Sequence, residues 1–280
     1  MKASRGIFAA ALSVAFLSIA QARYEEEETA VFAKSFNDYA RTPSALGGYK
    51  SESFAFANGG ALTGRFHDAS VEKATFDQVV RLISPALARQ NYIPAVAPED
   101  TDLLIYVYWG TTDGSVGSAG VTDSTMQQAG DLDADWYGAA SLLDDANRQR
   151  DRANFSNAGL LGYRQALATH MDIRSIGVHT TMYQDLIADV EEPRYFVVLT
   201  AFDFKTAWQN KKLIPLWSTR YNIPARGNHF TTALPDMSMF ASRFFGRDSG
   251  GLVRRLNPTG KVEMGDIKVL GAVETPIEDK

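Results

Sequence analysis

The chain has 280 residues with 45% hydrophobic and 11% aromatic content, enough to bury a sizeable core and to exclude a wholly disordered protein. Its formal charge is −5 and its longest basic block is Arg254-Arg255, which argues against a nucleic-acid partner and against tight adsorption to anionic lipid. Cysteine is absent, which excludes disulfides, thiolate nucleophiles, Cys-based metal centres and a lipid-modified N-terminal Cys.

In chain order, Lys2 and Arg5 precede an apolar run from Gly6 to Ala20, and Ala20-Gln21-Ala22 follows with the small-x-small pattern of a signal-peptidase site. The run is shorter than the ~20 apolar residues of a bilayer crossing, and Glu25 to Glu28 follow at once. Residues 1–22 therefore read as a cleaved secretory signal, with a periplasmic or secreted product and no stable membrane insertion after cleavage. That leaves 26 basic against 33 acidic residues in the mature part.

Residues 23–48 read as a loosely ordered lead-in, with one short helix on Val31, Phe32 and Phe36. Alternation over Tyr49–Ala57 predicts a first strand that ends at Asn58-Gly59-Gly60. Thr75 and Gln78 are spaced as a capping box, and Phe76, Val79, Ile83 and Leu87 form one apolar stripe, so a helix follows, with a kink at Pro85. Asp102–Trp109 is a dense run of β-formers and predicts a central strand.

Residues 110–130 are rich in Gly, Ser, Thr and Asp and predict a long loop. Helices are expected over Ala139–Asn154, Leu160–Met171 and Thr180–Val190. Strands return at Tyr195–Phe204 and Leu213–Ile223, and the short segment between them predicts antiparallel pairing. A helix around Pro235–Phe245 and a last strand around Val262–Leu270 complete the pattern. The fold class is α+β, a single mixed and mostly antiparallel sheet packed by helices. Residues 49–280 form its domain, with a helical insertion at about 110–190.

Phe54-Ala55-Phe56, the helix end Leu87-Ala88-Arg89-Gln90-Asn91-Tyr92, Asp102-Leu103-Leu104-Ile105, Leu216-Trp217-Ser218-Thr219-Arg220 and Phe245-Gly246-Arg247 together resemble a family of exported bacterial envelope proteins. Many members are lipoproteins, and this chain departs from them in lacking the lipidation Cys. The resemblance covers most of residues 49–270 and implies an α+β envelope domain. No catalytic residue carries over from it.

Several patterns resemble chemical sites in part. His170-x-Asp172 with His179 offers metal-ligand types but no ligand spacing, and His67 and His229 stand alone, so no metal site is expected. Asp131, Asp133 and Asp135 open like a calcium loop, but Trp136 stands where Gly belongs and Leu142 where the bidentate Glu belongs. Ser70-x-x-Lys73 lacks the partner motifs of a serine acyltransferase, and capping is the expected job of Ser70. Gly110 to Gly120 lacks every phosphate-loop spacing, and no cofactor is expected.

Aromatic residues carry the functional expectation. Tyr106, Tyr108 and Trp109 on one strand, with Tyr195, Phe202, Phe204 and Trp217 on others, suit a pocket or groove beneath the insert, and Trp136 and Tyr137 extend it. The expected function is a non-enzymatic secreted envelope protein that binds a protein partner or an apolar ligand through the 110–190 insert. The alternative is a hydrolase with an Asp/His site beneath that insert, drawn from His170, His179, Asp131, Asp133 and Asp172.

Overall fold

A computed structural model describes residues 27–257, apart from 46, 65–66, 116, 132–135 and 176–180, and apart from the side chains of 27–28, 118–119, 136, 172–175 and 256–257. The secretory signal and the strand expected at Val262–Leu270 lie outside the described residues.

Among the described residues seven strands form one mixed sheet: β1 (Glu27–Ser35), β2 (Glu52–Thr63), β3 (Tyr92–Pro94), β4 (Leu103–Thr111), β5 (Arg194–Asp203), β6 (Pro215–Pro224) and β7 (Val253–Asn257). Their order across the sheet is β3-β2-β4-β5-β6-β1-β7. β2 pairs parallel with β3 and β4, and the remaining four pairings are antiparallel. The expected α+β class holds, as does the antiparallel pairing of β5 with β6. The segment joining that pair folds into a short helix, α7 (Phe204–Asn210), rather than a plain turn.

One face of the sheet is covered by α1 (Ala69–Glu72), α2 (Phe76–Ala88) and α8 (Phe230–Ala241). α2 begins on the expected box: Gln78 N–H donates to Thr75 Oγ1 at 3.3 Å and Thr75 N–H donates to Gln78 Oε1 at 3.1 Å. Val79, Ile83 and Leu87 are buried, and the helix runs unbroken through Pro85. Against them lie Ile105, Val107, Trp109, Val197, Leu199, Trp217 and Tyr221, the odd-numbered side chains of the central strands.

The insert covers part of the opposite face. It comprises α3 (Gly117–Asp131), α4 (Trp136–Leu161), α5 (Arg164–Ser175) and α6 (Thr181–Glu191). Ala158, Leu161, Tyr163, Leu186 and Val190 close a second core over Ala30, Phe196 and Val198. Arg194, 1% exposed, ties insert to sheet: it donates to Asn222 Oδ1 at 2.6 Å and meets Asp189 at 3.4 Å. Asp189 also receives the Tyr163 hydroxyl at 3.1 Å and the Arg254 guanidinium.

Three expectations are corrected. The short helix on Val31, Phe32 and Phe36 is strand β1, and the lead-in is firmly held over its described part. Val31 and Ala33 are buried, and the β1 backbone is bonded to β6 and β7. The loop beyond β1 is anchored by buried Arg41, which donates to Gln90 O at 2.6 Å and Lys50 O at 2.8 Å, meets Glu52 at 3.0 Å and lies over the Tyr92 ring. The first strand does not stop at Asn58-Gly59-Gly60; it passes through a bulge there and continues to Thr63. The long loop at 110–130 is mostly α3, which packs on α4. Its buried positions Val121, Thr125 and Ala129 are spaced by four, but they are too small and too polar to stand out as an apolar stripe.

Candidate functional site

Strand periodicity divides the aromatic residues between the two faces. Trp109 points into the α2/α8 core, buried and stacked on Phe76 at 6.4 Å, and Tyr195 and Trp217 are buried on the same side. Phe204 begins α7 and stacks on Trp208. Trp109 is thereby removed from the expected surface, because successive residues of a strand face opposite sides. Tyr137 stands exposed near the start of α4, and the side chain of Trp136 lies outside the described residues.

Tyr106, Tyr108 and Phe202 remain together on the insert side. The two tyrosine rings stack at 6.3 Å, and Phe202 meets Tyr106 edge-on at 5.5 Å. All three are half-buried, as are Leu104 and Thr200 beside them. Tyr108 touches the second core, so the insert reaches this aromatic shelf at one border and leaves the rest open to half-burial. Ala55 and Ala57 of β2 lie level with Leu104 and Tyr106, and small residues there keep the shelf shallow.

The sheet register carries the shelf sideways into a polar strip. Paired residues on neighbouring strands share a face, so Tyr106, Thr200, Ser218 and Lys34 form one row, and Tyr108, Val198, Arg220 and Phe32 form the next. The Thr200 and Ser218 hydroxyls bond to each other at 3.1 Å. Arg220 is half-buried and has no hydrogen bond or ion pair among the described residues. Burial pushes its guanidinium below the ordinary arginine range, and the nearby positive charge of Arg164 pushes the same way. Neither row contains a carboxylate.

A second recess lies at the base of the insert, a cleft of about 600 Å³ lined by Ser115, Gly117, Ala188, Glu191, Glu192, Pro193 and Arg226. Its acids already have partners: Glu191 accepts from Asn154 at 2.9 Å, and Glu192 lies 3.8 Å from Arg194.

Of the residues of the alternative reading, only Asp131 and His170 have described side chains, and no hydrogen bond or ion pair joins the two. Asp131 is exposed at the end of α3, and His170 is half-buried on α5 with a buried Nδ1 that has no partner. His179, Asp133 and Asp135 lie outside the described residues, as does the side chain of Asp172. Among the described residues no group of three or more His, Asp or Glu could hold a metal ion. Ser70 serves structure: its hydroxyl donates to Asp68 at 2.5 Å and accepts from Phe230 N–H at 3.1 Å, while Lys73 is exposed at the end of α1. The N-cap of α1 is Asp68 rather than Ser70.

Sequence reasoning singled out Tyr106 and Tyr108 but missed Arg220. A lone cation inside the β-forming run Leu216–Ile223 was the available signal, because period two places it with Ser218 and Asn222 on one face.

No family model and no curated protein matches this chain. Among solved structures it is similar to a PDZ domain protein from Parabacteroides distasonis ATCC 8503, at 10% identity and a TM-score of 0.37. That match covers 82% of this chain and 39% of the other, and at such a score it carries no argument about function. No helix among the described residues is long and apolar enough to cross a membrane.

Proposed function

We propose that this is an exported, non-enzymatic envelope protein that binds an apolar ligand on the shelf formed by Tyr106, Tyr108 and Phe202. The observation that supports this reading is three packed aromatic rings left half-buried on a sheet face that the insert covers only in part. Rings packed against one another lose little freedom when a ligand covers them, so burying their remaining surface is favourable.

Titration of the mature protein with the uncharged dye N-phenyl-1-naphthylamine tests the reading, with saturable fluorescence enhancement expected. Removing Tyr106 and Phe202 together (both to Ala) deletes contacts worth on the order of 2 kcal/mol, so the dissociation constant rises more than tenfold. Saturable binding that survives the double substitution overturns the shelf assignment. Export is tested separately by sequencing the N-terminus of the protein from its native cells, with a start after Ala22 expected.

A second reading, a protein partner on the outer surface of the insert, is supported by exposed Met126, Tyr137, Phe155, Met171 and Met182 on α3 to α6. Serine at all five positions is expected to abolish capture of that partner from envelope extracts and to leave dye binding intact.

A further inference from the structure

From the two sheet rows that flank the shelf, we infer that the ligand is amphipathic, with an oxyanion head held by Arg220 and an apolar body lying on Tyr106, Tyr108 and Phe202; this rests on the shelf reading above. Arg220 projects from β6 in the row of Tyr108, one row from Tyr106; on β5 between them Val198 is covered by the insert and Thr200 is half-buried, so head and body sites adjoin through Thr200. A half-buried guanidinium without a counter-ion costs stability, and folding retains it here without any described acceptor.

The surroundings fit an anion. Lys34 lies two residues along β1 from Phe32, the neighbour of Arg220, and is exposed. Arg164 contributes its positive charge from the start of α5. The Thr200 and Ser218 hydroxyls lie between the aromatic rings and Lys34; they bond to each other, which leaves one hydroxyl proton as a neutral donor, and of the two Thr200 is the less buried. No carboxylate stands in either row to neutralise the site. The whole chain is acidic, so positive charge gathered here is not part of a generally basic surface that would attract anions indiscriminately. The guanidinium fork can bind a carboxylate or a phosphate through two parallel hydrogen bonds.

The test compares two dyes of matched shape on the mature protein, anionic 1-anilinonaphthalene-8-sulfonate and uncharged N-phenyl-1-naphthylamine. The sulfonate is expected to bind more tightly. Arg220→Gln is expected to lower the preference for the sulfonate about tenfold or more, the loss of one charge-assisted contact. Arg220→Lys is expected to retain part of that preference, and Arg220→Met to melt no lower than the parent, which separates loss of the site from loss of the fold. Displacement of the sulfonate by dodecanoate or by dodecyl phosphate then distinguishes a carboxylate head from a phosphate head.

Binding of the neutral dye with equal or weaker binding of the sulfonate overturns the oxyanion inference and leaves the shelf standing. An Arg220→Gln preference equal to the parent's does the same. Absence of binding by both dyes removes the shelf reading and this inference together.

Discussion

Gly162, at the turn between α4 and α5, sits so close to Phe32 of β1 that a Cβ on the glycine would lie 2.4 Å from the Phe32 Cβ. The glycine also has φ +86°, a conformation that L side chains rarely adopt. The contact joins the insert, in the middle of the chain, to a strand near its start, and it sits beside Arg220 in the sheet. Gly162→Ala is expected to cost about 2 kcal/mol or more through combined strain and overpacking. Urea unfolding followed by circular dichroism reads this directly, and a midpoint within error of the parent refutes it.

Asp189 collects three donors at the junction of insert and sheet: Tyr163, Arg194 and Arg254. Removing it takes from the fully buried Arg194 its acid partner at 3.4 Å; the more distant Glu192, at 3.8 Å, and the hydrogen bond to Asn222 are among the contacts that stay. Asp189→Ala is therefore expected to destabilise by about 3 kcal/mol, because an undercompensated charge stays inside. Hydrogen exchange is expected to rise first in α6, which carries Asp189.

The capping box of α2 predicts a smaller effect. Thr75→Ala removes the acceptor for Gln78 N–H and is expected to cost about 1 kcal/mol. Thermal unfolding is expected to shift down by a few degrees, with dye binding unaffected because α2 lies on the other face of the sheet.

Asp68 gives a pH signature. Burial alone would raise its carboxyl, but hydrogen bonds from the Ser70 and Tyr195 side chains and from the Ser70 and Val71 backbone outweigh this and hold it below the ordinary aspartate value. A carboxylate depressed in the fold stabilises above its unfolded value of about 3.9, and that stabilisation is lost as pH falls through the lower folded value. Asp68→Asn is expected to reduce stability at neutral pH and to flatten its decline below about pH 4. The Tyr195 hydroxyl, pushed up to about 12 by burial and by its bond to Asp68, stays protonated throughout.

Elements with strong local signals were legible. The capping box and the Phe76 to Leu87 stripe defined α2, and the dense run of β-formers over Asp102 to Trp109 defined β4. β1 was misread because Val31, Phe32 and Phe36 suit a helical face as readily as a strand, and only pairing with β6 and β7 decides between them. α3 was misread because its buried stripe is built from Val121, Thr125 and Ala129 on a glycine- and serine-rich background. Trp109 was a different kind of miss, since the period of two in any strand already separates it from Tyr106 and Tyr108.

Composition, periodicity and caps act over a few residues, so the chain's own order of residues was enough to specify its class, most of its helices and the alternation of its central strands. Which aromatic side chains share a surface, and that Arg220 stands beside them without an acid, came from elsewhere. Those facts follow from strand order and register, which bring β1, β4, β5 and β6 together across wide separations in the chain. They follow also from where the insert stops, because coverage of a sheet face depends on long-range packing and leaves no local periodic trace.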